Sequence, residues 1–129
     1  MTRSLMPFYQ RAITALTLLA TIALAAVISW LTLTPQDMPK VNDLPIDKLA
    51  HAAAFAALIL PSAVLRPRFL WWTFPLAALL GLGIELAQPY VGRSQEWIDV
   101  VADLAGLLAG TGLGLMLRRF LKSGPYKDW

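Results

Sequence analysis

The 129 residues predict an all-α membrane protein, four transmembrane helices in one compact bundle with both termini in the cytoplasm. Three observations carry that expectation. Hydrophobic residues make up 57% of the chain and charged residues only 15%, against roughly 25% charged in soluble domains. A domain this small buries the smallest share of its apolar surface, so water is the wrong solvent for it. The apolar residues fall into four long runs, and the basic residues cluster in alternate connections between them.

The first span is expected over 12–33. No charged residue occurs from Ala12 to Gln36, and at about 1.5 Å per residue the run crosses a hydrocarbon core of roughly 30 Å. Arg3, Arg11 and the small residues of Ala23–Ala26 would also suit a cleaved signal peptide. The run exceeds the usual h-region of about 7–15 residues, however, and further spans follow, which favours an uncleaved anchor.

Spans two to four are expected over 48–65, 69–88 and 98–117, with Glu85 inside the third and Asp99 and Asp103 near the start of the fourth. The second and fourth are short enough that either alone would suit a buried soluble helix. All four together, in a chain of positive mean hydropathy, do not. Pro61 and Pro75 lie towards the loop shared by spans two and three, where neighbouring helices tolerate kinks. The transmembrane domain is thus 12–117, flanked by tails at 1–11 and 118–129.

Basic residues in short flanks set orientation. Arg3, Arg11, Arg66, Arg68, Arg118, Arg119, Lys122 and Lys127 share one side with Asp128 alone, which assigns that side and both tails to the cytoplasm. The other side holds Lys40, Lys48 and Arg93 against Asp37, Asp43, Asp47, Glu85, Glu96, Asp99 and Asp103. Trp30 and Trp97 near the outer ends, with Trp71 and Trp72 near an inner end, suit two aromatic belts. The net charge of +3 therefore reads as topology and attraction to anionic lipid, and nucleic acid is not an expected partner. With no cysteine, disulfides, thiolate metal sites and cysteine nucleophiles are excluded.

This topology brings the ionisable residues to one membrane depth near the outer surface. Asp47, Lys48 and His51 begin span two, Glu85 and Gln88 end span three, Arg93 and Ser94 lie in the next loop, and Asp99 and Asp103 begin span four. On span four, Asp99, Asp103, Gly106, Gly110 and Gly114 follow helical spacing, so the acids continue a stripe of small residues that packs against other helices. Gly81, Glu85 and Gln88 form a similar face on span three, and Asp47 and His51 are i, i+4 on span two. A carboxylate at the centre of a span costs about 2.5–3.5 kcal/mol on insertion scales, so Glu85 and Asp103 need partners. Lys48, His51 and Arg93 are the nearby cations.

Several roles suit this set. The residues could simply neutralise one another and cap helices. His51 with Glu85 or Asp103 could form a general acid/base pair. A histidine with two or three carboxylates could hold a hard divalent metal, although no HExxH-like spacing supports it. No cofactor is expected, and no phosphate loop or nucleophile elbow occurs.

The order Asp47-Lys48-x-x-His51, Gly81-x-x-x-Glu85-x-x-Gln88, Arg93-Ser94 and Asp99-x-x-x-Asp103-x-x-Gly106-x-x-x-Gly110 resembles the VanZ-like family of small bacterial membrane proteins, over Asp47 to Gly114. The resemblance implies a four- or five-span protein of the cell envelope. Its founding type is associated with low-level resistance to teicoplanin, a lipid-tailed glycopeptide that binds cell-wall precursors. Two positions depart from the pattern: Asp103 stands where the family usually has Asn, and Ala52 stands where an aromatic follows the histidine, with Phe55 one turn on.

The leading functional expectation is a multi-pass protein of the bacterial cytoplasmic membrane with an outward-facing polar pocket. Its partner would be a membrane lipid or the head group of a lipid-linked cell-wall precursor, held by Lys48 and Arg93 on phosphate with Asp47, Gln88, Ser94 and Asp99 alongside. Binding there would alter access of teicoplanin-type antibiotics. The alternative is a membrane-embedded transferase or hydrolase acting on a lipid-linked substrate, with His51 as acid or base, Glu85 and Asp103 as partner carboxylates and Arg93 as oxyanion clamp. A transporter ranks last, because the inner half of each span carries no charge, unless the protein forms homo-oligomers.

Overall fold

A computed structural model describes residues 6–35 and 45–123. Arg3, Asp37, Lys40, Asp43, Lys127 and Asp128, which entered the orientation argument, lie outside the described residues. Four α-helices carry the fold: α1 (Met6–Leu33), α2 (Ile46–Leu65), α3 (Leu70–Ala87) and α4 (Trp97–Ser123). Two short 3₁₀ turns, Pro67–Phe69 and Gln88–Val91, lead into and out of α3. No strand occurs among the described residues, and all four helical segments are long and apolar enough to cross a membrane. The all-α, four-span bundle is therefore the architecture of this chain.

The helices overrun the apolar segments. α1 begins at Met6, so Arg11 lies inside it, and α4 continues through Arg118 and Arg119 to Ser123. Hydropathy marks where hydrocarbon ends, whereas a helix stops where its backbone loses partners or meets a turn residue. α2 and α3 each run through their internal proline, Pro61 and Pro75, as one helix.

The solvent is legible in which side chains face outward. Leu19, Ile22, Trp30, Trp71, Leu79, Leu108, Leu113 and Phe120 are all exposed. Only Ile13, Thr17 and Ile28 of the 28-residue α1 are buried. Hydroxyls on this lipid-facing helix turn back onto their own backbone: Thr14, Thr17, Thr21, Ser29 and Thr32 each donate to the carbonyl four residues earlier. In hydrocarbon, where water cannot serve, that is the local way to satisfy them.

The core is small and lies between the helices: Ile28, Phe55, Leu58, Ile59, Ala77, Ile84 and Leu107. α2 and α4 form the closest pair. Their contact is close, because a Cβ on Gly110 would stand 2.5 Å from the Ala56 carbonyl oxygen and one on Gly114 2.5 Å from Ala63 Cβ. A Cβ on Gly106 would run into the carbonyl oxygen of Ala52. Small residues at these three positions bring α4 close enough for dispersion contacts along its length.

Arginines close the helix ends. Arg118 Nη1 donates to the Val64 and Leu65 carbonyls at 2.5 and 3.2 Å, and Arg66 Nη2 donates to the Gln10 carbonyl at 2.5 Å. These bonds gather the start of α1, the end of α2 and the end of α4 at one end of the bundle. The opposite end collects the end of α1, the start of α2, the end of α3 and the start of α4.

Candidate functional site

That opposite end holds the polar residues. α2 contributes Asp47, Lys48 and His51 from its first two turns, α3 contributes Glu85 from its last turn and the following turn Gln88, and α4 contributes Asp99 and Asp103. Five of them are nearly inaccessible: Glu85 is 0% exposed, Asp103 1%, Gln88 2%, Asp99 5% and His51 7%. Buried polar groups must be paired, and the pairing has two layers.

At the rim, Lys48 gathers three carboxylates. Its Nζ lies 2.6 Å from Asp47 Oδ2 and 2.8 Å from Asp99 Oδ1 and also contacts Glu96 Oε2. Below it, His51 Nδ1 lies 2.8 Å from Asp103 Oδ1. An ionised carboxylate only accepts, so with Asp103 ionised the proton is on Nδ1. Nε2 is then turned towards Asp99 Oδ2 at 3.6 Å, beyond hydrogen-bond range. Gly81 makes this arrangement sterically feasible, since a Cβ there would stand 2.7 Å from Asp103 Oδ2.

Glu85 is held by neutral donors. The backbone N–H of Glu96 donates to its Oε2 at 3.1 Å. The Gln88 amide, oriented as its neighbouring acceptors require, donates to Glu85 Oε2 and to the Ser94 carbonyl, each at 3.2 Å. That orientation satisfies more acceptors than the reverse one, whose amide reaches only the Thr32 carbonyl at 3.4 Å.

Arg93 reaches the end of α1. Its Nη1 donates to the Thr32 and Thr34 carbonyls at 3.0 and 3.1 Å, capping the partial negative charge of the helix C-terminus. No ion pair joins it to Glu85 or Asp47 among the described residues. Gly92, at φ +77°, makes the turn that sends Arg93 back across the bundle; this left-handed conformation favours glycine. Ser94 is exposed.

Beside His51 a cleft of about 170 Å³ opens between α1 and α2. Ile28, Leu31, Ala54 and Phe55 form its apolar part, and Asp47, His51 and Arg93 its polar part. Two contributors escaped the sequence reading. Glu96 holds Lys48 through its side chain and Glu85 through its N–H, and its place immediately before α4, i, i+3 from Asp99, was the available signal. The α1 carbonyls that engage Arg93 leave no side-chain signature at all.

A four-span helical membrane protein with a buried histidine–carboxylate cluster at one end is the class these features define. The VanZ/LLP1 family model matches residues 3–118, and the chain belongs to that family. No curated protein and no solved structure matches it.

Proposed function

We propose that this VanZ-like protein binds the phosphate-bearing head group of a membrane lipid or lipid-linked cell-wall precursor in the cleft between α1 and α2. The observation that carries the reading is the cleft's polarity gradient, from Ile28, Leu31, Ala54 and Phe55 to Asp47, His51 and Arg93. A lipid has the same gradient at its glycerol or pyrophosphate end. The cleft's volume is below the roughly 300–1,000 Å³ of drug-sized pockets, so it suits a head-group fragment with the acyl chain outside against α1. Arg93 uses Nη1 on α1 carbonyls, and its remaining guanidinium donors supply the anion contact.

The cluster end faces outward from the bacterial cytoplasmic membrane in this proposal. Arg11, Arg66, Arg68, Arg118, Arg119 and Lys122 all belong to the opposite end, which the positive-inside rule assigns to the cytoplasm. Occupancy of outer-leaflet precursors is then the route by which the protein alters access of teicoplanin-type lipoglycopeptides.

Native mass spectrometry of protein extracted gently from its own membrane tests the reading. Wild type is expected to carry a specific phospholipid or sugar-phosphate lipid that both Arg93→Ala and the cleft-filling Ala54→Phe lose while remaining folded. Identical bulk lipid on all three would refute it.

The His51–Asp103 pair at 2.8 Å favours a second reading, a transferase or hydrolase acting on that lipid with His51 as acid or base. Turnover of lipid-linked precursors by wild type but not by His51→Ala would support it. Precursors left unchanged by wild type, with and without divalent metal, would dismiss it.

A further inference from the structure

We propose that His51, Glu85 and Asp99 form a binding site for one divalent transition-metal ion, with Asp103 as the group that positions the histidine. The proposal stands independently of what occupies the neighbouring cleft.

Two groups of three ligating side chains converge at this end of the bundle, Asp47–Glu96–Asp99 and His51–Glu85–Asp99, each with its ligand atoms within 4.8 Å of one another. They differ in what balances their charge. Lys48 places its ammonium among all three carboxylates of the first group, so that group already has its cation. No lysine or arginine forms an ion pair with Glu85 or Asp103 among the described residues, and both acids are at least nine-tenths buried. Together with Asp103, the inner group thus sets three buried carboxylates, one of them shared with Lys48, around a single imidazole. Buried carboxylates in such an excess must be neutralised, by protons or by a bound cation.

The geometry is that of ligands around an ion. His51 Nε2 and Asp99 Oδ2 are 3.6 Å apart, too far for a hydrogen bond. Two ligands at about 2.1 Å from a tetrahedral ion stand roughly 3.4 Å apart. Asp103 supplies the outer-shell contact that metal-bound histidines typically have: as a carboxylate it accepts from Nδ1 at 2.8 Å, which leaves Nε2 unprotonated and facing Asp99 Oδ2. Glu85 is oriented in turn by the Glu96 N–H and Gln88.

The other oxygen of Asp103, Oδ2, has no hydrogen-bond partner among the described residues and would lie 2.7 Å from a Cβ on Gly81. The carboxylate is therefore placed here at the cost of an orphaned buried oxygen, as suits a group that must face the histidine. One imidazole with two carboxylates selects zinc- or manganese-type ions over calcium and magnesium, and three protein ligands leave a coordination position open.

The test uses the full-length protein in detergent, stripped with chelator, reloaded with Zn²⁺ alone and assayed for bound metal by mass spectrometry, with Co²⁺ absorption as the spectroscopic probe. One ion per chain is expected, with a raised thermal midpoint. Glu85→Gln and Asp99→Asn should each abolish stoichiometric binding, Asp103→Ala should weaken it by about 10–100-fold, and Glu96→Gln, which keeps the backbone N–H on Glu85 and removes only the rim carboxylate, should still bind one ion. Circular dichroism identifies any variant that loses its fold, and the Glu96→Gln comparison does not depend on those variants. Folded wild type that takes up no saturable Zn²⁺ or Co²⁺ overturns the proposal. So does binding that survives both Glu85→Gln and Asp99→Asn, or binding lost in Glu96→Gln, which would move the ion to the rim.

Discussion

Replacing Gly106 by alanine should separate the two helices that carry the histidine and its aspartate. A Cβ on Gly106 overlaps the Ala52 carbonyl oxygen and stands 2.8 Å from the carbonyl carbon and 2.9 Å from Cα, whereas ordinary contact begins at 3.4 Å. The obstacle is backbone, which has no rotamer to change, so α2 and α4 must part by more than the 0.6 Å that the carbonyl carbon alone requires. Overpacking of this kind costs about 1–3 kcal/mol. Alanine's better helix propensity, up to about 1 kcal/mol, offsets only part of it. Even that lower bound, carried to the neighbouring pair, stretches the 2.8 Å His51–Asp103 bond to about 3.4 Å, past useful range. Gly112, whose Cβ would meet nothing within 4 Å, is the control. Thermal unfolding in mild detergent, followed by circular dichroism, should place Gly106→Ala below wild type and Gly112→Ala at or above it. A Gly106→Ala protein as stable as Gly112→Ala would refute the close α2–α4 contact.

Other substitutions probe the remaining links. Gly81→Ala pushes a Cβ against Asp103 Oδ2 at 2.7 Å; a lower melting temperature that recovers in Gly81→Ala/Asp103→Ala is expected, and no recovery would mean that the carboxylate is not what the methyl meets. Gly92→Ala forces a side chain into the left-handed region at φ +77°, costing about 1–2 kcal/mol in the same unfolding assay, and a neutral result would contradict that turn. Phe55, fully buried, should cost about 3–5 kcal/mol as alanine, a loss measurable by unfolding in detergent. Arg93→Ala should speed amide exchange at the end of α1 while Arg93→Lys partly preserves protection; unchanged exchange in both would show that the cap is inert.

Much of the fold was legible because a bilayer imposes simple rules. Four apolar runs, Ala12–Leu33 first among them, sufficed for four helices. The i, i+4 and i, i+3 spacings placed Asp99, Asp103, Gly106 and Gly110 on one helical face, and the structure sets that face against α2. Spacing within one helix says nothing about pairing between helices, however. That His51 meets Asp103, whereas Glu85 meets a backbone N–H and an amide, depends on helix rotation and depth. Arg93 illustrates the deeper limit: its partners are α1 carbonyls, which every residue possesses and no sequence advertises. The helices also run beyond the spans that hydropathy marks, since Arg11 and Arg118 continue helices past the apolar runs.

The central claim, that polar faces of α2, α3 and α4 meet in one buried cluster, can be read from a single side chain. His51 is the chain's one histidine, so its imidazole nitrogens give unambiguous ¹⁵N resonances in detergent. The account predicts a proton on Nδ1 protected from solvent exchange, lost in Asp103→Ala and retained in Glu96→Gln. A tautomer-averaged, freely exchanging imidazole, indifferent to Asp103→Ala, would contradict it.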